Sequence, residues 1–117
     1  MEKKGILIVD DDKEDREEIK DLLLKNGYKV LTSKNGAEAL DVVSECACDL
    51  ILIDIQMPTL SGYDLMRILK EKVENKISLA YITIVPKSQV DISEVDGFIQ
   101  KPFSSESLLK EVKRILE

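Results

Sequence analysis

Three consecutive carboxylates, Asp10, Asp11 and Asp12, follow the apolar run Ile6-Leu7-Ile8-Val9, and a second apolar run, Leu50-Ile51-Leu52-Ile53, ends on Asp54. Each run reads as a buried strand that delivers acid to its carboxyl end. If the two strands are parallel neighbours, those ends share one edge of a sheet, and the gathered like charges repel one another unless a cation shares the space. The chemistry this favours is a hard divalent metal beside an aspartate able to accept a phosphoryl group.

The elements that must position these acids follow from apolar periodicity. Residues 5–9 form the first strand, and 13–26 a charged helix with Ile19, Leu22 and Leu23 at helical spacing, stopped by Asn26-Gly27. Residues 28–32 read as a strand, and Asn35-Gly36 opens a helix carrying Ala39, Leu40 and Val43. The segment 49–54 is the most apolar and is expected at the centre of the sheet; 57–62 is a loop leading into a helix with Leu65, Met66, Ile68 and Leu69. Residues 79–85 and 97–100 give the fourth and fifth strands, and Ser104 or Ser105 caps a last helix carrying Leu108, Leu109, Val112, Ile115 and Leu116. Parallel strands need long crossovers, and each helix must cover a sheet face. The predicted class is therefore α/β, a doubly wound five-stranded parallel sheet with helices on both faces. Ligands of such a sheet bind at the carboxyl ends of the strands, where Asp10, Asp11, Asp54, Thr83 and Lys101 fall.

At 117 residues and 44% hydrophobic content the chain fits one domain, taken as 1–117. A net charge of −6 argues against direct nucleic-acid binding, which concentrates Lys and Arg to neutralise phosphates. The segment Met1-Glu2-Lys3-Lys4 runs into an apolar stretch too short for a signal-peptide core or a membrane span, so a cytoplasmic protein without a membrane partner is expected. Cys46 and Cys48 stand in a chain without histidine, which leaves a zinc site short of ligands; they read as ordinary thiols near the start of a strand.

In order and spacing, Ile6-Leu7-Ile8-Val9-Asp10-Asp11, Asn35-Gly36-Ala37-Glu38-Ala39-Leu40, Asp49-Leu50-Ile51-Leu52-Ile53-Asp54-Ile55-Gln56-Met57-Pro58, Gly62, Thr83 and Gly97-Phe98-Ile99-Gln100-Lys101-Pro102-Phe103 resemble the receiver domain of two-component response regulators. The likeness runs from Lys4 to Glu117. Each piece alone is weak, but together they place chemically distinct residues at the strand ends of one fold. The resemblance implies a flavodoxin-like sheet of strand order 2-1-3-4-5. It implies Asp54 as the phosphoacceptor, Asp11 as a direct Mg²⁺ ligand, Asp10 as an acid acting on the metal mainly through water, and the backbone carbonyl of Gln56 as a further oxygen ligand. Lys101 would lend its charge to the transferring group, from a Lys101-Pro102 bond that is commonly cis in the family. Thr83 matches the switch hydroxyl, and Phe98 the aromatic that moves with it. The implied donor is a phosphohistidine on a histidine kinase or a histidine phosphotransfer protein, and an unidentified downstream protein reads the result. Such a domain signals and is not an enzyme for external substrates; since this chain has no histidine, it is not the donor.

The chain also departs from that pattern. The interval from Thr83 to Lys101 is about four residues short of the usual receiver; Pro86 limits where a helix can start, and Val90, Ile92 and Val95 alternate more like a strand, so the fourth helix is expected short, distorted or missing. Ile84 occupies a position where most receivers carry a small residue, and with Gln56 and Val85 it is expected to slow entry of donor or hydrolytic water. Asp15 and Glu18 replace apolar residues of the first helix; the charged run from Lys13 to Glu18 reads most simply as a solvated face, the helix burying Ile19, Leu22, Leu23 and the stem of Arg16. A phosphohydrolase of the haloacid-dehalogenase type also uses a nucleophilic aspartate, but needs a second acid where this chain has Gln56. The remaining alternative is a receiver-like interaction module that signals without phosphorylation.

Overall fold

Apolar runs that lack alternation need cover on both faces, and the chain supplies it by alternating strand and helix. In the computed structural model, which describes residues 3–73 and 76–117, the order is β1 (Gly5–Val9), α1 (Lys13–Lys25), β2 (Lys29–Ser33), α2 (Gly36–Glu45), β3 (Leu50–Ile53), α3 (Gly62–Val73), β4 (Ser78–Thr83), β5 (Gly97–Gln100) and α4 (Ser105–Leu116). Met1 and Glu2 of the opening segment, and two residues of the 1–117 span after α3, lie outside the described residues. The strands form one parallel sheet in the order β2-β1-β3-β4-β5, with β3 at the centre, as expected.

The period of two along each strand sorts the core into two layers. On one face, Leu7, Val9, Ile51, Ile53, Leu79 and Tyr81 pack with Ala39 of α2 and with Leu65, Met66 and Leu69 of α3. On the other, Ile6, Ile8, Leu50, Leu52, Ala80, Ile82 and Ile99 pack with Ile19 and Leu23 of α1 and with Leu108 and Val112 of α4. Helix starts are set locally: Asp12, Asn35 and Ser104 each accept a backbone N–H from three residues on, and Ser107 returns the bond at Ser104. Gly27, at φ +90°, turns the chain out of α1 where a side chain would be strained.

Between β4 and β5 the described residues hold one turn of 3-10 helix, Lys87–Gln89, and no α-helix. The expectation that the helix between β4 and β5 is short, distorted or missing is met by this single turn, but the strand-like alternation of Val90, Ile92 and Val95 forms no strand: Val90 is buried, Val95 packs against the core and Ile92 points outward. Asp96 closes this connection onto the sheet, donating its N–H to the Leu79 carbonyl at 2.7 Å and accepting the Leu79 N–H on its carboxylate at 2.9 Å.

Candidate functional site

Asp10 and Asp54 are the first residues beyond β1 and β3, and the register Val9↔Ile53 sets them side by side at the carboxyl edge. Both continue the sheet ladder: the Asp54 N–H donates to the Val9 carbonyl at 2.9 Å, and the Asp10 N–H to the Ser33 carbonyl at 3.1 Å. Each carboxylate is oriented by its own turn, Asp10 Oδ1 accepting the Asp12 N–H at 2.9 Å and Asp54 Oδ1 the Gln56 N–H at 3.0 Å. That leaves Oδ2 of both aimed at the same place, where Lys101 Nζ donates to Asp10 at 2.6 Å and to Asp54 at 3.0 Å. Arg16 braces the arrangement from α1, its Nη1 donating to the Asp10 carbonyl at 2.8 Å.

Lys101 reaches this point from the far edge of the sheet. Its N–H donates to the Thr83 carbonyl at 2.8 Å, extending β5 alongside β4, and the Lys101-Pro102 bond is cis. Burial by itself would depress the ammonium, but hydrogen bonds to Asp10, Asp15 and Asp54 outweigh it and hold Lys101 above the ordinary lysine range. At Asp10 the balance goes the other way: burial prevails, and the carboxyl is raised although Lys101 and the Asp12 N–H pull it down.

Asp10 and Asp54 are buried and Asp11 is exposed, and carboxylate oxygens of all three lie within 4.8 Å of one another. Three hard oxygen donors, one of them facing solvent, suit a small divalent cation that keeps several of its waters, so the cluster fits Mg²⁺ in donor type and number. Asp12, the third acid of the run, is spent on capping α1, its Oδ1 accepting the Asp15 N–H at 3.1 Å.

The other expected residues are placed as follows. Thr83 is fully buried at the end of β4, and its Oγ1 accepts the Val85 N–H at 3.3 Å; among the described residues this hydroxyl makes no hydrogen bond to the side chain of Asp54 or of Lys101. Phe98 pairs in register with Tyr81 and is half-buried on the sheet face of Tyr81, beside the connection between β4 and β5. Gln56 is exposed in the turn after Asp54. Ile84 is 59% exposed and lines a cleft of about 250 Å³ with Asp15, Glu18, Lys101, Pro102 and Phe103. Cys46 is exposed and Cys48 is buried, where burial pushes its thiol up to about 11; both are free.

One expectation is overturned. Asp15 does not belong to a merely solvated face: its Oδ2 accepts from Lys101 Nζ at 2.7 Å, a shorter contact than that of Asp54. A signal for this existed, since a helical side chain leans back over the turn before it, and the turn before Asp15 leads back into the short connection that follows β1 and carries Asp10.

A family model described as "Response regulator receiver domain" matches residues 6–113. Response regulator MprA of Mycobacterium sp. (strain KMS) is 31% identical over 117 residues, covering 95% of this chain and 50% of that protein, so the chain spans about half the length of that relative. The polar-differentiation response regulator DivK of Brucella anthropi is 30% identical over 118 residues, covering 97% of this chain and 96% of that protein. Among solved structures, response regulator protein TrrA of Thermotoga maritima in complex with Mg²⁺-BeF has a TM-score of 0.88 and 31% identity, covering 97% of this chain and 99% of that one. TrrA in complex with histidine kinase ThkA gives a TM-score of 0.89.

Proposed function

The chain belongs to the response regulator receiver family, the phosphoacceptor signalling domains of two-component systems, and from that premise we propose that Asp54 is the residue that takes the phosphoryl group. The donor is a phosphohistidine on a histidine kinase or histidine phosphotransfer protein, a reading supported by the complex of TrrA with the kinase ThkA. A carboxylate oxygen of Asp54 attacks phosphorus in line as the bond to the imidazole nitrogen breaks, and the imidazole departs with that electron pair. Negative charge spreads over the phosphoryl oxygens, so positioning and opposite charge are the main contributions left to the protein.

The observation that carries this is the meeting of Asp10, Asp54 and Lys101, contributed by the ends of β1, β3 and β5, at 2.6 and 3.0 Å in a nearly buried cluster. Asp11, Asp10 and Asp54, with the Gln56 carbonyl, would hold Mg²⁺. When bound, that ion supplies positive charge to the phosphoryl oxygens. Lys101 supplies the second positive charge, from a position already fixed by β5. Thr83 Oγ1, one hydrogen bond from Val85, is the hydroxyl placed to turn toward the modified Asp54, and Phe98 on the same sheet face is the side chain that follows it. A phosphoryl group adds nearly two negative charges and three strong acceptors, enough to bias such a rearrangement.

The one-turn connection of Lys87–Gln89 favours a second reading, an interaction module that signals by contacts alone. One experiment separates the two. Incubated with Mg²⁺ and acetyl phosphate, the chain should gain one phosphoryl mass that Asp54→Asn does not gain. No gain on the native chain would leave the contact-only reading.

A further inference from the structure

An ammonium carries three N–H groups. On Lys101 all three are taken by carboxylates of this chain, Asp10 at 2.6 Å, Asp15 at 2.7 Å and Asp54 at 3.0 Å. A phosphoryl oxygen on Asp54 that is to be held by Lys101 therefore has to displace one of them. Asp10 is fully buried, and stripping it of the ammonium would leave a desolvated charge without a partner. Asp54 is itself the reacting group. Asp15 is the remaining partner: its side chain is 38% exposed on the first turn of α1, and it borders the cleft shared with Glu18, Ile84 and Phe103, which has room for a carboxylate that swings outward. It also sets a fixed negative charge 2.7 Å from the cation that an incoming phosphoryl group must share.

We propose that Asp15 is a positioning residue that holds Lys101 in reserve, so that phosphoryl acceptance at Asp54 requires its release. The assignment rests on the phosphoacceptor reading above. It predicts that Asp15 opposes modification: the resting chain is stabilised by the third bond, and the modified chain loses it.

The test compares the native chain with Asp15→Asn and Asp15→Glu at saturating Mg²⁺, measuring the half-saturating beryllofluoride concentration by calorimetry and the initial rate of labelling by acetyl phosphate by intact mass. A charge-assisted hydrogen bond at a partly exposed site should translate into about two- to fivefold tighter beryllofluoride binding for Asp15→Asn. Labelling should accelerate by a similar factor, and Asp15→Glu, which keeps the charge, should stay near the native values. In a Lys101→Met background the Asp15→Asn effect should vanish, which a general change in α1 would not produce. Equal or weaker beryllofluoride binding by Asp15→Asn overturns the proposal while leaving the phosphoacceptor reading intact. A native chain that neither binds beryllofluoride nor labels removes the phosphoacceptor reading, and this one with it.

Discussion

Lys101→Met keeps most of the apolar stem and deletes the charge, which isolates what the ammonium does for the resting fold. The lysine is 8% exposed, and the carboxylates it bridges, Asp10 and Asp54, are 0% and 9% exposed in their side chains. Removing one partner of a buried ion pair costs about 3–5 kcal/mol, because the other charge stays behind without compensation. Two such charges stay behind here, side by side. The contact to half-exposed Asp15 adds at most about 1 kcal/mol. The metal-free variant at neutral pH should thus lose about 3–5 kcal/mol, a large share of the roughly 5–15 kcal/mol that holds a domain together. Urea unfolding reads this as a lower midpoint at unchanged slope. Mg²⁺ supplies the missing counter-charge, and a ligand that binds only the folded chain stabilises it by mass action. The variant should therefore gain more from added Mg²⁺ than the native chain, whose Asp10 and Asp54 oxygens are shared with the ammonium. A metal-free loss below about 1 kcal/mol, the range of an exposed pair, would refute the reasoning. So would equal benefit from Mg²⁺ in the two proteins.

Three other perturbations follow from particular contacts. A Cβ at Gly62 would lie 2.6 Å from Ile55 Cα and 2.9 Å from the Asp54 carbonyl carbon, backbone atoms that no rotamer change can move aside, so Gly62→Ala should cost about 1–3 kcal/mol in urea unfolding. Gly5→Ala, whose Cβ would meet nothing closer than 3.6 Å, is the control and should stay within about 0.5 kcal/mol; equal effects would refute the packing argument. At Glu111, hydrogen bonds from Arg114 at 2.6 and 3.0 Å, and one from the Phe98 N–H, hold the carboxyl below its ordinary range despite some burial. Its folded value lies below its unfolded one, so its stabilisation is present above about pH 4.5 and lost as pH falls through the folded value. Glu111→Gln should cost about 1 kcal/mol at pH 7 and progressively less as the pH is lowered below about 4.5, whereas a gap that does not shrink on acidification would refute the link. Ile84→Ala, at a position 59% exposed, should leave stability within about 0.5 kcal/mol yet quicken either labelling by acetyl phosphate or loss of the phosphoryl group; unchanged rates for both would dismiss Ile84 as a barrier.

Much of this molecule is legible in near neighbours along the chain. The unbroken apolar runs at Ile6–Val9 and Leu50–Ile53 demand cover on two faces; Asn35 and Ser104 announce helices; Pro86 and the short interval before Lys101 mark the connection between β4 and β5 as one where a helix is short, distorted or missing. Because parallel strands end at one edge, the gathering of Asp10, Asp11, Asp54 and Lys101 follows from the same pattern. Distances across the sheet are another matter. That Asp12 caps a helix while Asp10 meets an ammonium, that Gly62 must lack a side chain because α3 starts against the Asp54 backbone, and that Asp15 reaches a lysine 86 positions away were decided only by the folded chain. The reason is range: helix and strand periodicity is encoded over a few residues, whereas an ion pair depends on which strand ends the topology makes neighbours and on how far a half-exposed carboxylate leans to meet a buried charge.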